Sequence, residues 1–487
     1  MTRRWRVLWV LFFFPLATLA AIPELEAIHP VGAALNTTNS VTVSGKFDPW
    51  PPRIWMSRPG LVFRFDTNKN KADIVVAPDA TPGPILLRAY NESGISEPRF
   101  FVIGSGSETN DIEPNNEFLK PQIIAALPVS ISGRLDKSGD VDSFAVALKK
   151  GNRLEARVES HLLMSKSDVV LRLVTTNGLQ LAWNHDGVTL DPRIVWQVTN
   201  DQTVVIQLYG FAFPANSEIR LGGGNEAIYR LHLALTNSPP AFLESPSNSP
   251  VTLASTTHGR IFIPNDEDRF TFTSLKDQTL EFRIDSASFG SPLDAWMRIS
   301  DSEGKELAFN DDSEESIDPR LELKASASSN YNIRIGSVTH RGSDEHRYHL
   351  KIREIQPTYE TTLASSSVIV TNGGTNQIKF NLKRLRGYTN EIVARFDSLP
   401  SGVSSIQTNL PSKASGEVSI PLMVATNASP FQGPIRLLLN NQPVTFPLTT
   451  RSINNGVPGG YTDLLIDHLP HLWLTVPDPI TTTNASK

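Results

Sequence analysis

The chain has 487 residues, 39% of them apolar and 20% charged, with a net charge of −5 and no cysteine. That length exceeds one ordinary core and calls for roughly three or four globular modules, while the acidic balance argues against a nucleic-acid partner, which demands clustered Lys and Arg. The absence of cysteine excludes disulfide scaffolds, thiolate zinc centres and a cysteine nucleophile.

Arg3, Arg4 and Arg6 precede an almost wholly apolar run from Val7 to Leu16, and Thr18 and Ala20 supply the small residues of a cleavage site before Ala21. This predicts a cleaved signal peptide over 1–20, because the run is shorter than the ~20 residues of a spanning helix. No later segment is long and apolar enough to span, so the mature chain is expected without a transmembrane helix, in the periplasm, at the cell surface or secreted. Export of so long a chain without cysteine points to a bacterial source, since oxidising compartments usually favour disulfides.

Past the signal, short alternating apolar runs such as Val41-Thr-Val-Ser-Gly45, Val169-Val-Leu-Arg-Leu173 and Phe282-Arg-Ile284 are broken by Gly, Pro, Asn, Asp and Ser. Period-two alternation marks strands with one buried face. The expected class is all-β, as tandem β-sandwiches. Glu117 to Leu127 is the one short helix expected.

Residues 22–104 open with Pro23-Glu-Leu-Glu-Ala-Ile28-His-Pro30 and close on Gly94-Ile-Ser-Glu-Pro98 and a final strand. This segment resembles an IPT/TIG immunoglobulin-like domain. Its Pro-rich loop Trp50-Pro-Pro-Arg-Ile-Trp55 makes Trp50 and Trp55 the candidates for stacking on a sugar or peptide ligand. Gly-Ser-Gly near residue 105 and Asn237-Ser-Pro-Pro240 mark linkers.

The middle of the chain is duplicated. Asp142 and Asp268, Asp168 and Asp294, and Asn184 and Asn310 each lie 126 residues apart within matching motifs, and Asp191-Pro-Arg and Asp318-Pro-Arg follow at 127. A period this long means duplicated domains rather than solenoid units. The first copy also carries Glu113-Pro-Asn-Asn116, Gly139-Asp-Val-Asp142-Ser-Phe144 and Gly151-Asn-Arg-Leu154. On these motifs 111–236 resembles the bacterial pre-peptidase C-terminal domain, a jelly-roll-like β-sandwich, and 245–353 resembles a degenerate second one without the Glu-Pro-Asn opening. The resemblance implies a structural calcium site, since relatives in secreted collagenases bind calcium at a matching opening and Asp pair. Glu113, Asn115, Asn116, Asp140 and Asp142 are its candidate ligands, for hard cations want several oxygen donors on a sharply folded loop. The bland alternative has Asp140 and Asn115 making turn and capping hydrogen bonds.

Residues 357–450, with Ser367-Val-Ile-Val370 and Gly416-Glu-Val-Ser-Ile420, resemble a bacterial immunoglobulin-like domain, and 451–487 reads as a partly disordered tail. His346-x-x-His349 has the wrong spacing for two ligands on one strand face, and His468-x-x-His471 falls in the loose tail. Trp183 aligns with Phe309 and is expected in the core. No nucleophile elbow, zincin motif or phosphate loop occurs. The expected function is an exported, non-catalytic binding, adhesion or envelope-organising protein that meets a polysaccharide or an extracellular matrix or envelope protein. The alternative is an accessory binding subunit of a secreted peptidase or glycosidase whose catalytic domain is another chain.

Overall fold

The computed structural model describes residues 21–187, 190–212, 220–236, 245–313, 316–325, 328–450 and 464–478. The expected signal peptide, the linker at 237–240 and the chain end from 479 lie outside them. Among the described residues every regular element is a strand except the 3-10 turns His161–Leu163 and Ala287–Phe289. The class is all-β. Among the described residues no helix is long and apolar enough to cross a membrane.

The first module packs a sheet ordered Glu24–His29, Thr38–Lys46, Lys71–Val76, Leu61–Phe65 on one ordered Gly32–Ala34, Arg99–Gly104, Gly83–Asn91, Arg53–Met56. Val41 and Val43 are buried while Ser40 and Thr42 are not, the alternation that one covered face imposes. Leu25, Ile74, Leu87 and Phe101 fill the space between the sheets.

The two repeated segments share a strand order. In the first, one sheet runs Gln122–Ile124, Asp142–Leu148, Gln202–Ala212, Ser167–Thr175, Gln180–Asn184; in the second, Ser249–Val251, Glu267–Ser274, Ser329–Ser337, Ala295–Ser300, Glu306–Asn310. The facing sheet of the first runs Glu108–Asn110, Val129–Arg134, Ile228–Leu235, Arg153–Glu159, Arg193–Gln197. The second repeat matches its last four strands, and no described residues take the place of Glu108–Asn110.

Three internal devices recur in both copies. Asp191 accepts the amides of Ser160, His161 and Leu162 at 2.8, 2.7 and 3.1 Å, and Asp318 those of Ser286, Ala287 and Ser288 at 3.0, 2.8 and 3.0 Å. Tyr229 donates to Asp142 at 2.5 Å, and Tyr348 to Asp268 at 2.6 Å. Each tyrosine ring lies over a glycine, Gly133 or Gly259, where any side chain would overlap it. These pairs explain why the Asp-Pro-Arg, Asp-x-Asp and closing Tyr motifs repeat together.

The helix expected at Glu117 to Leu127 is absent. One turn closes from the Lys120 amide to the Glu117 carbonyl, then Gln122–Ile124 joins Asp142–Leu148 in parallel. Pro121 lacks an amide and biases Lys120 away from helical backbone, so the turn cannot propagate.

The expectation of a tail over 451–487 also needs correcting. Leu472–Val476 lies between Ser367–Ile369 and Phe431–Leu439 and is buried along its whole length. It completes the fourth module's second sheet, which continues through Ile392–Asp397 and Thr408–Leu410, while Thr358–Leu363, Thr375–Leu385, Gly416–Val424 and Val403–Ser405 form the first. Flanking prolines at 470 and 477 cut the run to six residues, too short to establish an alternation. Leu464–Leu469 pairs with Phe446–Thr450 as a separate hairpin.

The modules form a closed cycle rather than an open row. Arg230, 4% exposed, pairs with Glu108 against Gly32 and Gly104 of the first module, where side chains would collide with it. Arg153 meets Glu345 at 2.7 Å and Arg193 donates to the Gly290 carbonyl at 3.0 Å, joining the repeats. Arg386 meets Glu322 at 3.0 Å, joining the second repeat to the fourth module. The fourth then returns to the first: Trp473 packs on Tyr90 and Trp55, at ring separations of 5.1 and 6.0 Å. The hairpin adds Leu448 and Leu469 to a cluster with Phe100 and Val102 of the first module and Leu163 and Ile228 of the first repeat.

Candidate functional site

The opening segment of the first repeat folds back on the start of the strand Asp142–Leu148. Asp111, Glu113 and Asp142 thereby bring carboxylate oxygens within 4.8 Å of one another. Asp142 is wholly buried, and its Oδ1 has no partner. Burial, with Asp111, Asp140 and Glu113 adding repulsion, pushes its carboxyl up to about 9 despite the Tyr229 hydrogen bond. Asp111 rises to about 6, again chiefly through burial.

Asn115 carries the sharper signal. It is 1% exposed, yet neither its side-chain oxygen nor its nitrogen has a partner. Its carbonyl accepts the Ser143 amide at 3.1 Å, which fixes it beside Asp142. An unpaired buried amide costs about 1–3 kcal/mol, so such a group argues for a ligand. The donors are all oxygen, the type that hard cations take.

Asp140 and Asn116 behave otherwise. Asp140 accepts the Asp136 amide at 2.6 Å and the side-chain amide of Asn116. Those two residues therefore close the turn, as the bland reading of the motif has it for Asp140. Asp111 was missed from the sequence. Its place two residues before Glu113 was the available signal, since an extended segment puts such a pair on one side.

Trp50 and Trp55 do not form a free stacking face together. Trp50 packs against Phe47 and Phe65 at 5.8 and 5.3 Å and donates to the Asp66 carbonyl at 2.9 Å. Trp55 is covered by the fourth module, with His471 at 4.7 Å. His471 is thus an interface residue, not part of a loose tail.

Trp183, expected in the core, is 53% exposed, and Phe309 is 44% exposed. Both stand on the outward face of an edge strand, directly across from an arginine: Trp183 from Arg172, Phe309 from Arg298. In the first repeat Tyr209 joins them, 3.3 Å from the Trp183 indole nitrogen and with Arg172 5.6 Å from its ring centre. In the second, Arg298 lies 5.6 Å from the Trp296 ring and 5.3 Å from the Phe309 ring. The error came from reading an aligned aromatic as a core position. The paired arginines at 172 and 298, 126 residues apart, were the overlooked sign of an outward face.

A cleft of about 620 Å³ opens where the first module, the first repeat and the hairpin meet. Its polar floor includes Ser130, whose hydroxyl lies 2.8 Å from His232 Nδ1, while Glu159 lies 3.1 Å from Nε2. The arrangement superficially has the parts of a nucleophile, base and acid. Arg230, however, also reaches His232 Nε2, at 3.0 Å. Burial first, then Arg230 and Arg157, lower the His232 pKa against the pull of Glu159. That opposes the imidazolium which acyl transfer requires. Glu159 itself is held at about 2: its arginine and histidine partners outweigh the burial that would raise it.

No family model matches the sequence, and no curated protein is similar to it. Among solved structures, the pre-peptidase C-terminal domain of a Bacillus anthracis collagenase aligns at 12% identity over 23% of this chain and 99% of its own, with a TM-score of 0.18. The N-terminal four immunoglobulin domains of Dscam1 isoform 1.9 align at 10% identity over 94% of this chain and 99% of theirs, TM-score 0.21. SGBP-B of a Bacteroides ovatus mixed-linkage glucan utilization locus, in complex with a mixed-linkage heptasaccharide, aligns at 7% identity over 64% of this chain and 74% of its own, TM-score 0.16. At such scores these likenesses add nothing to the strand order described above. The chain consists of tandem β-sandwich modules.

Proposed function

We propose that the chain is an exported, non-catalytic binding protein that meets a polysaccharide at an envelope or matrix surface. In this reading an IPT/TIG-like module and a bacterial immunoglobulin-like module flank two pre-peptidase C-terminal-like modules. Calcium is held by Asp111, Glu113, Asn115 and Asp142, and it would neutralise their charge and fix the opening segment of the first repeat. The observation that carries the binding role is the exposed aromatic set across from an arginine, present at equivalent places in both repeats. Flat rings in water stack on the C–H faces of sugars, and adjacent guanidinium groups donate to hydroxyls.

Affinity electrophoresis of the mature chain in gels cast with neutral and acidic polysaccharides tests this. At least one polymer should retard the wild type. Trp183→Ala combined with Phe309→Ala should abolish the retardation. A double variant retarded as strongly as the wild type, or no retardation by any polymer, overturns the proposal.

A further inference from the structure

The contact between the fourth and first modules gathers buried polar atoms without partners among the described residues, two of which, on Arg88 and Trp473, can only donate. Along the last strand Leu472, Leu474 and Val476 enter the fourth module's core. His471, Trp473 and Thr475 therefore point the other way, toward the first module. There they meet Trp55, Tyr90 and Arg88, the last being the cross-strand neighbour of Trp55.

Arg88 is 1% exposed. Its Nε donates to the Ser96 carbonyl at 2.7 Å, and Nη2 to the Ser366 hydroxyl at 3.1 Å. The Ser366 carbonyl in turn accepts the Trp473 amide at 2.9 Å, which ties the guanidinium to this strand. Nη1 has no partner; neither do Trp473 Nε1, His471 Nε2 and Thr475 Oγ1. Trp473 and Thr475 are 1% exposed and His471 9%. Glu97 acts on Arg88 only from a distance.

A guanidinium and an indole can only donate. A buried cation needs a counter-charge. A water molecule supplies no charge, whereas a halide supplies one and accepts from both the guanidinium and the indole. We propose that Arg88, Trp473 and His471 hold a small monovalent anion, chloride in the first instance, which latches the fourth module onto the first. The site is independent of any polymer bound by the repeats, and it places an ionic switch at the seam that closes the cycle of modules.

The test is thermal unfolding of the full mature chain in chloride and in gluconate, an anion too large to enter, at equal ionic strength. Chloride should raise the transition that includes the first and fourth modules by about 1–2 °C per tenfold concentration. Bromide should act likewise, and gluconate should not. Trp473→Phe keeps the packing without the indole donor and should reduce the chloride response at least twofold. Arg88→Met removes the charge and should abolish it. Equal melting in chloride and gluconate overturns the proposal in favour of water. So does a chloride response that persists undiminished in Trp473→Phe, or, should Arg88→Met not fold, a bromide-soaked crystal of the wild type without an anomalous peak between Arg88 and Trp473.

Discussion

The two repeats share one strand order but differ in what surrounds their matching aspartates. Both keep the Tyr–Asp pair, the glycine beneath the tyrosine and the aspartate that caps a 3-10 turn. The first alone carries the edge strand Glu108–Asn110 among the described residues, and with it the carboxylate cluster and the stranded Asn115. No comparable cluster gathers around Asp268 among the described residues. Holding tyrosine is common to both copies and structural; the proposed cation site requires the opening segment as well, which only the first copy has among the described residues.

The largest effects should come from what the repeats share. Asp191→Ala and Asp318→Ala each strip the acceptor from three amides at a buried turn, so each should cost roughly 3–5 kcal/mol in urea unfolding of the full chain. A cost confined to one copy would break the equivalence of the repeats.

Calcium should separate them. At a hundredfold excess over Kd it should stabilise the wild type by about 2.7 kcal/mol. Asp142→Asn and Asn115→Ala should erase that gain in calorimetry, whereas Asp268→Asn should leave it intact. A gain that survives Asp142→Asn moves the cation elsewhere.

A pH series sharpens the same contrast. Without calcium the folded chain keeps a proton on Asp142 up to about pH 9, whereas the unfolded chain loses it near the ordinary value of 3.8. Folding therefore binds a proton across that window, and stability falls as pH rises through it, by up to about 1.4 kcal/mol per unit. Asp142→Asn should flatten that slope in the chelated protein. Calcium must displace the proton, so its stabilising effect should grow from pH 5 to pH 8. A calcium effect that is constant with pH excludes Asp142 as a ligand.

The smallest stability effect belongs to the outward aromatics. Trp183→Ala and Phe309→Ala should each change unfolding free energy by less than about 1 kcal/mol, because both side chains stand on an outward face and are about half in water. A much larger cost would return them to the core.

The sequence made the all-β class legible because alternation is local: each buried valine and exposed threonine of Thr38–Lys46 can be read in place. The duplication was legible through motifs that the Asp191 and Asp318 caps explain. Less could be read where the deciding partner is distant. Asp140 and Asp142 sit in one motif, yet one closes a turn on Asn116 and the other is buried under Tyr229. Nothing in the motif itself separates those fates. Trp55 stands in a loop that reads as open, but its cover comes from His471 and Trp473, more than 400 residues later. The last strand was lost because the six residues between Pro470 and Pro477 carry too little periodicity to announce themselves.

That last strand also bears on the order of events in biosynthesis. Ser367–Ile369 and Phe431–Leu439 leave the ribosome well before Leu472–Val476, which must slot between them. Until it does, the fourth module is a sandwich with a missing slice, and Trp55, Tyr90 and Arg88 of the first module face the solvent uncovered. Loss of the segment from Leu464 onward would recreate that half-made state. Its two exposed seams would lie far apart along the chain, an apolar signature of the kind that chaperones and proteases recognise.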